Sequence, residues 1–186
     1  MERGLLLILS GPSGCGKDTV IEEVIKKNPN VKMSVSLTTR KIREGEIPGV
    51  SYDFTDLDSF KKAIENGELL EYNKYGSNYY GTPKKSVEEL LNKGIDVVLR
   101  IDVNGKANIK KIYPEAVSIF MMTPSLEILE KRLRSRGTDT ESDIATRLET
   151  AKAEIEKSGD YDYYVINDVL ENAVNKVIEI INKGHH

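Results

Sequence analysis

The apolar positions of the chain follow two alternating rhythms. Leu5 to Leu9 is an unbroken apolar run, the pattern of a parallel strand buried on both faces. Val97-Val98-Leu99 repeats it, as do Val117 to Met121 around Ser118 and, less cleanly, Tyr163 to Ile166. Between these runs the spacing turns helical. Val20, Ile21, Val24 and Ile25 form one stripe, and Leu126, Leu129 and Leu133 form another behind a Ser125 cap. Ile144, Leu148, Ala151 and Ile155 make a third stripe. Leu170, Val174, Val177 and Ile181 make the last, with Gly184 expected just past its end. Strands alternating with helices predict an α/β fold whose parallel sheet carries helices on both faces.

Two stretches break the rhythm. From about Val35 to Pro83 the chain is rich in Thr, Ser, Tyr and Gly. It reads as a small, partly β insertion with one short helix near Ser59–Asn66. Arg136 to Asp143 is polar, includes Gly137, and reads as a mobile flap between two helices.

Composition narrows the chemistry. The 186 residues suit one core with inserted lobes. With 27 Lys and Arg against 30 Asp and Glu, the net charge is −3, which argues against a nucleic-acid partner. No stretch is long and apolar enough for a membrane span or a signal-peptide core, so the cytoplasm is expected. The single cysteine, Cys15, cannot form an internal disulfide, which fits a reducing compartment. The only histidines, His185 and His186, read as a tag remnant. Without them a Ser-His-Asp triad, a Cys-His pair and a histidine-held metal are excluded.

The strand at Leu5–Leu9 runs into Gly11-Pro12-Ser13-Gly14-Cys15-Gly16-Lys17, which matches the G-x-x-x-x-G-K core of a phosphate-binding loop. Glycines let successive backbone N–H groups curl around phosphate oxygens. The helix that follows adds partial positive charge, and Lys17 would reach the β- and γ-phosphates. The residue after the lysine is Asp18, followed by Thr19, where Ser or Thr usually holds Mg²⁺. A carboxylate can also ligate that ion, so Asp18 is a candidate metal ligand. Further on, Arg40 and Arg43 could converge on one phosphate. Tyr72, Tyr75, Tyr79 and Tyr80, taken as residues alone, read as core or half-core positions of strands.

The ordered motifs extend well beyond the loop. They are Ser34-Val35-Ser36 with Thr38-Thr39-Arg40 and Arg43; Gly45-Glu46, Gly49 and Tyr52-Asp53-Phe54; Gly67-Glu68 and Glu71; Asn78-Tyr79-Tyr80-Gly81-Thr82; Ile101-Asp102 with Gly105; Arg132-Leu133 with Arg136-Gly137-Thr138; Arg147-Leu148; and Asn167-Asp168. In this set the chain resembles the guanylate kinases, from about residue 4 to residue 183. The resemblance implies a P-loop NTPase core with a parallel five-stranded sheet, in segments 1–34, 84–135 and 144–184. It implies a GMP-binding insertion at 35–83 and a flexible lid at 136–143. It implies phosphoryl transfer from ATP, with Mg²⁺, to GMP, by a monomer or homodimer.

The same resemblance assigns residues. Gly11 to Thr19, Arg132, Arg136 and Asn167 would bind ATP. Arg40, Arg43, Tyr52 and Tyr80 would hold the GMP phosphate, and Ser36, Glu71, Thr82 and Asp102 would surround guanine. Lys17, Arg40, Arg132, Arg136 and Arg147 would carry the catalysis. The chemistry agrees: guanine presents two donors on one edge, and a carboxylate such as Glu71 offers two acceptors. Hydroxyls at Ser36 and Thr82 could donate to O6. Arg100 departs from the family, which usually has Asp or Glu there, and Asp18 departs too. The paired departures predict an Asp18–Arg100 ion pair. Three other readings are weaker. A catalytically dead guanylate-kinase-like binding module would lack this intact loop, a related kinase with another acceptor would not need Glu71, and a GTPase switch would need an Asn-Lys-x-Asp motif.

Overall fold

The computed structural model of the protein describes residues 2–185. His186, half of the expected tag remnant, lies outside them. Five strands form the main sheet, four of them the apolar runs and the other a short one: β1 (Leu6–Ser10), β2 (Val31–Met33), β7 (Asp96–Arg100), β8 (Val117–Met122) and β9 (Tyr163–Ile166). Their order is β2-β7-β1-β8-β9, and all four pairings are parallel. Seven α-helices lie among the described residues: α1 (Lys17–Lys27), α2 (Leu57–Glu65), α3 (Lys84–Asn92), α4 (Val103–Ile112), α5 (Leu126–Ser135), α6 (Glu141–Glu156) and α7 (Leu170–Gly184).

Strand alternation divides the core. Leu7 and Leu9 of β1 join Val20, Val24, Leu129, Leu133, Val174 and Ile181 on one face. Leu6 and Ile8 face the other way, onto Val87, Leu91, Leu99 and Ile109. β1 is therefore buried on both sides, as its sequence implied, whereas β9, at the sheet edge, leaves Tyr164 and Ile166 exposed. Ser125 caps α5 by accepting from the Ile128 N–H. Gly184, expected beyond α7, is its last helical residue. Leu170, at the start of that helix, is exposed rather than part of the stripe.

The insertion has its own sheet. Strands β3 (Leu37–Thr38), β4 (Asp53–Phe54), β5 (Leu69–Tyr75) and β6 (Asn78–Pro83) are ordered β4-β3-β6-β5. Helix α2 seals one side of it: fully buried Phe60 packs against Tyr79 with ring centroids 5.5 Å apart. Helix α6 begins earlier than the polar stretch suggested. Thr140 and Asp143 form a reciprocal capping box, so only residues 136–140 lie between α5 and α6.

In the main sheet, β1 leads leftward to β2 and β7, while β8 and β9 lie on its right. The chain thus reverses direction beside the carboxyl end of β1, where open α/β sheets bind ligands. The phosphate-type loop leaves from that end, and the insertion stands over it.

Candidate active site

A cavity of about 720 Å³ opens at this switch point, within the range of a small-molecule site. On the core side it is lined by the loop residues Gly11, Ser13, Gly14, Gly16 and Lys17, with Asp18 and Thr19 behind them. Gly16 has φ of 89°, and a Cβ there would lie 2.5 Å from the Asn167 amide nitrogen. Only glycine fits that turn and that approach. Asn167 Nδ2 donates to the Cys15 carbonyl at 2.9 Å, and Arg132 Nη2 donates to the Asn167 carbonyl at 2.9 Å. These two residues brace the loop from behind. Lys17 turns its ammonium onto the loop itself, donating to the Gly11 carbonyl and to that of Pro12 at 3.0 Å. The Cys15 thiol is fully buried, and burial pushes its pKa up against the pull of Lys17.

The insertion supplies the opposite wall. Glu71, Asn73 and Tyr75 alternate along one face of β5 and all line the cavity. Across the ladder, Glu71 pairs with Thr82 and Asn73 with Tyr80. Thr82 Oγ1 donates to Glu71 Oε1 at 2.7 Å. Burial raises the Glu71 carboxyl above its ordinary value; the Thr82 hydrogen bond eases this, and the nearby Asp102 charge adds to it. Asp102 caps α4, its Oδ1 accepting from the Gly105 N–H at 2.7 Å. Its Oδ2 accepts from Asn73 Nδ2 at 2.8 Å and from the Tyr75 hydroxyl at 3.4 Å. A pocket walled by two carboxylates selects a ligand edge rich in donors.

Cations stand between and above these walls. Arg136 and Arg147 line the cavity. Arg147 Nη1 donates to Ser13 Oγ at 2.7 Å, and its Nε pairs with Asp139 at 3.2 Å. It therefore ties the segment between α5 and α6 to the loop. Arg100, at the end of β7, forms an ion pair with Asp18 and donates to the Tyr52 hydroxyl at 3.2 Å. The pair inferred from the two departures is therefore present.

The model of the family described as guanylate kinase matches residues 3–184. A guanylate kinase of Carboxydothermus hydrogenoformans is 50% identical over 181 residues, covering 97% of this chain and 89% of the relative. One from Clostridioides difficile is 46% identical over 182 residues, covering 98% and 89%. The crystal structure of guanylate kinase from Anaplasma phagocytophilum superposes with a TM-score of 0.79 at 33% identity, covering 98% of this chain and 86% of that one. The chain belongs to the guanylate kinase family.

Several residues that the resemblance assigned to a guanylate kinase site stand elsewhere in this arrangement. Arg40 and Arg43 do not converge on the cavity. Arg40 is gripped by both oxygens of Glu46, at 2.6 and 3.1 Å, and lies over the Tyr52 ring at 5.2 Å. Arg43 is exposed, and its backbone N–H donates to the same carboxylate at 2.8 Å. Glu46 thus neutralises Arg40, and its own carboxyl is held below the ordinary value. Pro12, Cys15, Arg132 and Asn167 support the loop from outside the cavity. Thr82 reaches Glu71 rather than open space. Ser36, Tyr52, Tyr80, Glu71 and Asp102 do face the cavity.

Other cavity residues were not singled out from sequence. Asn73 and Tyr75 follow from Glu71 by strand alternation, and Thr150 and Glu154 follow from Arg147 at helical spacing i+3 and i+7. Tyr72 and Tyr75, read as core or half-core from the residues alone, are 49% and 57% exposed. Tyr75 lines the open cavity, and Tyr72 projects from the opposite face of β5.

Proposed function

We propose that the protein transfers the γ-phosphoryl group of ATP to GMP, yielding ADP and GDP, in the cytoplasm. The observation that carries this reading is the single cavity in which a phosphate-type loop faces the Glu71–Asp102 carboxylate pair. The loop suits a triphosphate, because its backbone N–H groups, the α1 N-terminus and Lys17 all present positive character. The carboxylate pair suits the N1–H and 2-amino edge of guanine. Adenine has no such edge, so neither carboxylate would receive a donor from its N1 side.

The residues then divide the work. Lys17 leaves the loop carbonyls for the β- and γ-phosphates. Glu71 and Asp102 fix guanine, and Ser36 Oγ can donate to O6. Tyr52 and Tyr80 direct the acceptor phosphate at the γ-phosphorus. An acceptor oxygen lone pair forms the new O–P bond, and the bond to the bridging oxygen breaks with its electrons to ADP. The acceptor is already an oxyanion, so no general base is needed and the missing histidine costs nothing. Charge on the transferring group spreads over its outer oxygens, which Arg136 and Arg147 can face. Closing the residue 136–140 segment over both nucleotides would exclude water.

Magnesium fits this donor set in a restricted way. Asp18 has one oxygen paired with Arg100, its other oxygen accepts no hydrogen bond among the described residues, and Thr19 stands beside it. Mg²⁺ commonly takes one carboxylate and keeps phosphates and waters in its remaining positions. When bound it would shield the charge on the β- and γ-phosphates.

A coupled ADP-release assay with GMP, dGMP, AMP, UMP and CMP tests the reading. Turnover is expected with guanine acceptors and with ATP plus Mg²⁺; equal turnover with AMP would overturn it. Arg136→Ala is expected to lower kcat by about 10- to 100-fold, the worth of a charged hydrogen bond in the transition state. The KM for GMP should move less, and a pure KM effect would remove Arg136 from that role.

A further inference from the structure

Arg100 occupies a position that the phosphoryl-transfer scheme above does not use. It ends β7 in the core, yet it touches two other parts of the molecule. One nitrogen, Nη1, pairs with Asp18 in the first turn of α1, directly after Lys17. The other, Nη2, donates to the hydroxyl of Tyr52 in the insertion at 3.2 Å. All three side chains line the same cavity. The guanidinium therefore lies on the boundary between the loop and the acceptor wall, with its fork turned toward both.

A purely structural reading explains little of this. β7 is already laddered to β1, and α1 is already anchored by Val20, Ile21 and Val24. The Asp18 side chain is 63% exposed, and exposed ion pairs stabilise a fold only weakly. A cation there has greater consequence for what enters the cavity. Glu46 grips Arg40, and Arg43 is exposed outside the cavity. Arg100 alone of the three arginines near the acceptor wall faces the cavity. Its fork has five N–H donors, and the contacts above use two.

We propose that Arg100 is a binding residue for the acceptor phosphate, held by Asp18 until that phosphate arrives. This rests on the acceptor reading of Tyr52 given above. A phosphate accepting from the Tyr52 hydroxyl comes within reach of the guanidinium that already donates to it. The dianion competes with Asp18 for the fork. A bidentate phosphate contact outweighs a half-exposed carboxylate pair. Binding frees the Asp18 carboxylate, so the acceptor and donor halves of the cavity are linked through one side chain.

Calorimetric titration of GMP and of guanosine, without ATP or Mg²⁺, tests the proposal. Arg100→Met keeps the length of the side chain and removes the fork. It is expected to weaken GMP about 10- to 100-fold and to leave guanosine unchanged. Arg100→Lys keeps the charge without the fork and should fall between parent and Met variant, which keeps the test open if the Met variant misfolds. Asp18→Asn removes the competitor, and GMP should bind roughly threefold tighter. GMP affinity within twofold of the parent in both Arg100 variants overturns the proposal. So does an equal loss for guanosine, which would mark a structural tie, or weaker GMP binding in Asp18→Asn. Failure of the parent protein itself to bind GMP would instead sink the acceptor reading.

Discussion

Lys17→Ala is expected to lower kcat by about two to three orders of magnitude while the fold survives. The fold should survive because Lys17 makes no contact that the core depends on. Among the described residues its ammonium donates only to the Gly11 and Pro12 carbonyls and approaches the Cys15 sulfur at 3.8 Å. Gly11 and Lys17 line the cavity, so water can take the place of the lysine beside the Gly11 carbonyl. The loop shape comes from elsewhere: from Gly14 and Gly16 at positive φ, and from the Arg132–Asn167–Cys15 brace. Activity should collapse because the present contacts are ones the ammonium must give up. When it turns from loop carbonyls to phosphate oxygens, it exchanges neutral acceptors for charged ones, a gain that grows as charge shifts toward the leaving oxygen. The measurement is kcat in the ADP-release assay beside a thermal melt. Near-normal turnover in a folded variant would reject the role, whereas a lost melting transition would show that the loop needs the lysine for its own structure.

The loop and the main sheet were legible because their signals are local. An apolar run, a glycine-spaced loop and a helical stripe each declare themselves within a dozen residues. The cavity wall supplied by the insertion was harder, since its geometry depends on register. Nothing local distinguishes Tyr72 from Tyr80; the β5–β6 ladder decides that Tyr80 faces the cavity while Tyr72 looks outward. Asn73 and Tyr75 could have been read from Glu71 by alternation once β5 was fixed, and Glu154 from Arg147 by helical spacing. Arg40 shows a different limit. Its motif foretells a phosphate ligand, yet in this structure Glu46 holds it, six residues along the chain, with both carboxylate oxygens. A short basic segment that carries its own acidic partner has two states available to it, and sequence spacing does not choose between them. The Asp18–Arg100 pair was readable for the opposite reason. Two departures of opposite charge at cavity-facing ends of neighbouring elements leave each group its most economical partner in the other.

Glu71→Gln is expected to reduce discrimination between GMP and AMP by about two orders of magnitude, and the contacts of Glu71 show why. One of its oxygens accepts from Thr82 Oγ1. The other lies near Gly105, where an added Cβ would sit 3.2 Å away, so glycine at that position keeps room for a ligand edge. In the glutamine variant one acceptor becomes an amide donor. If that donor faces the cavity it opposes the N1–H of guanine and suits the N1 acceptor of adenine. If it faces Thr82, guanine still loses a charged acceptor. Either orientation costs GMP one charge-assisted hydrogen bond and lessens the penalty on AMP. The same residue sets a pH dependence. Burial raises the Glu71 carboxyl above the ordinary 4.5, and only the ionised form accepts both guanine donors. Binding GMP should therefore release a proton at mildly acidic pH. Its apparent affinity should fall as pH drops through that raised value, at higher pH than an exposed carboxylate would give. The limb should vanish in Glu71→Gln, which carries no proton to release. Measuring kcat/KM for GMP and for AMP across pH in both proteins reads the two effects together. Unchanged discrimination would remove Glu71 from guanine recognition. A limb that persists in the variant would assign the titration to another group, such as Glu154 of α6, whose carboxyl burial also raises.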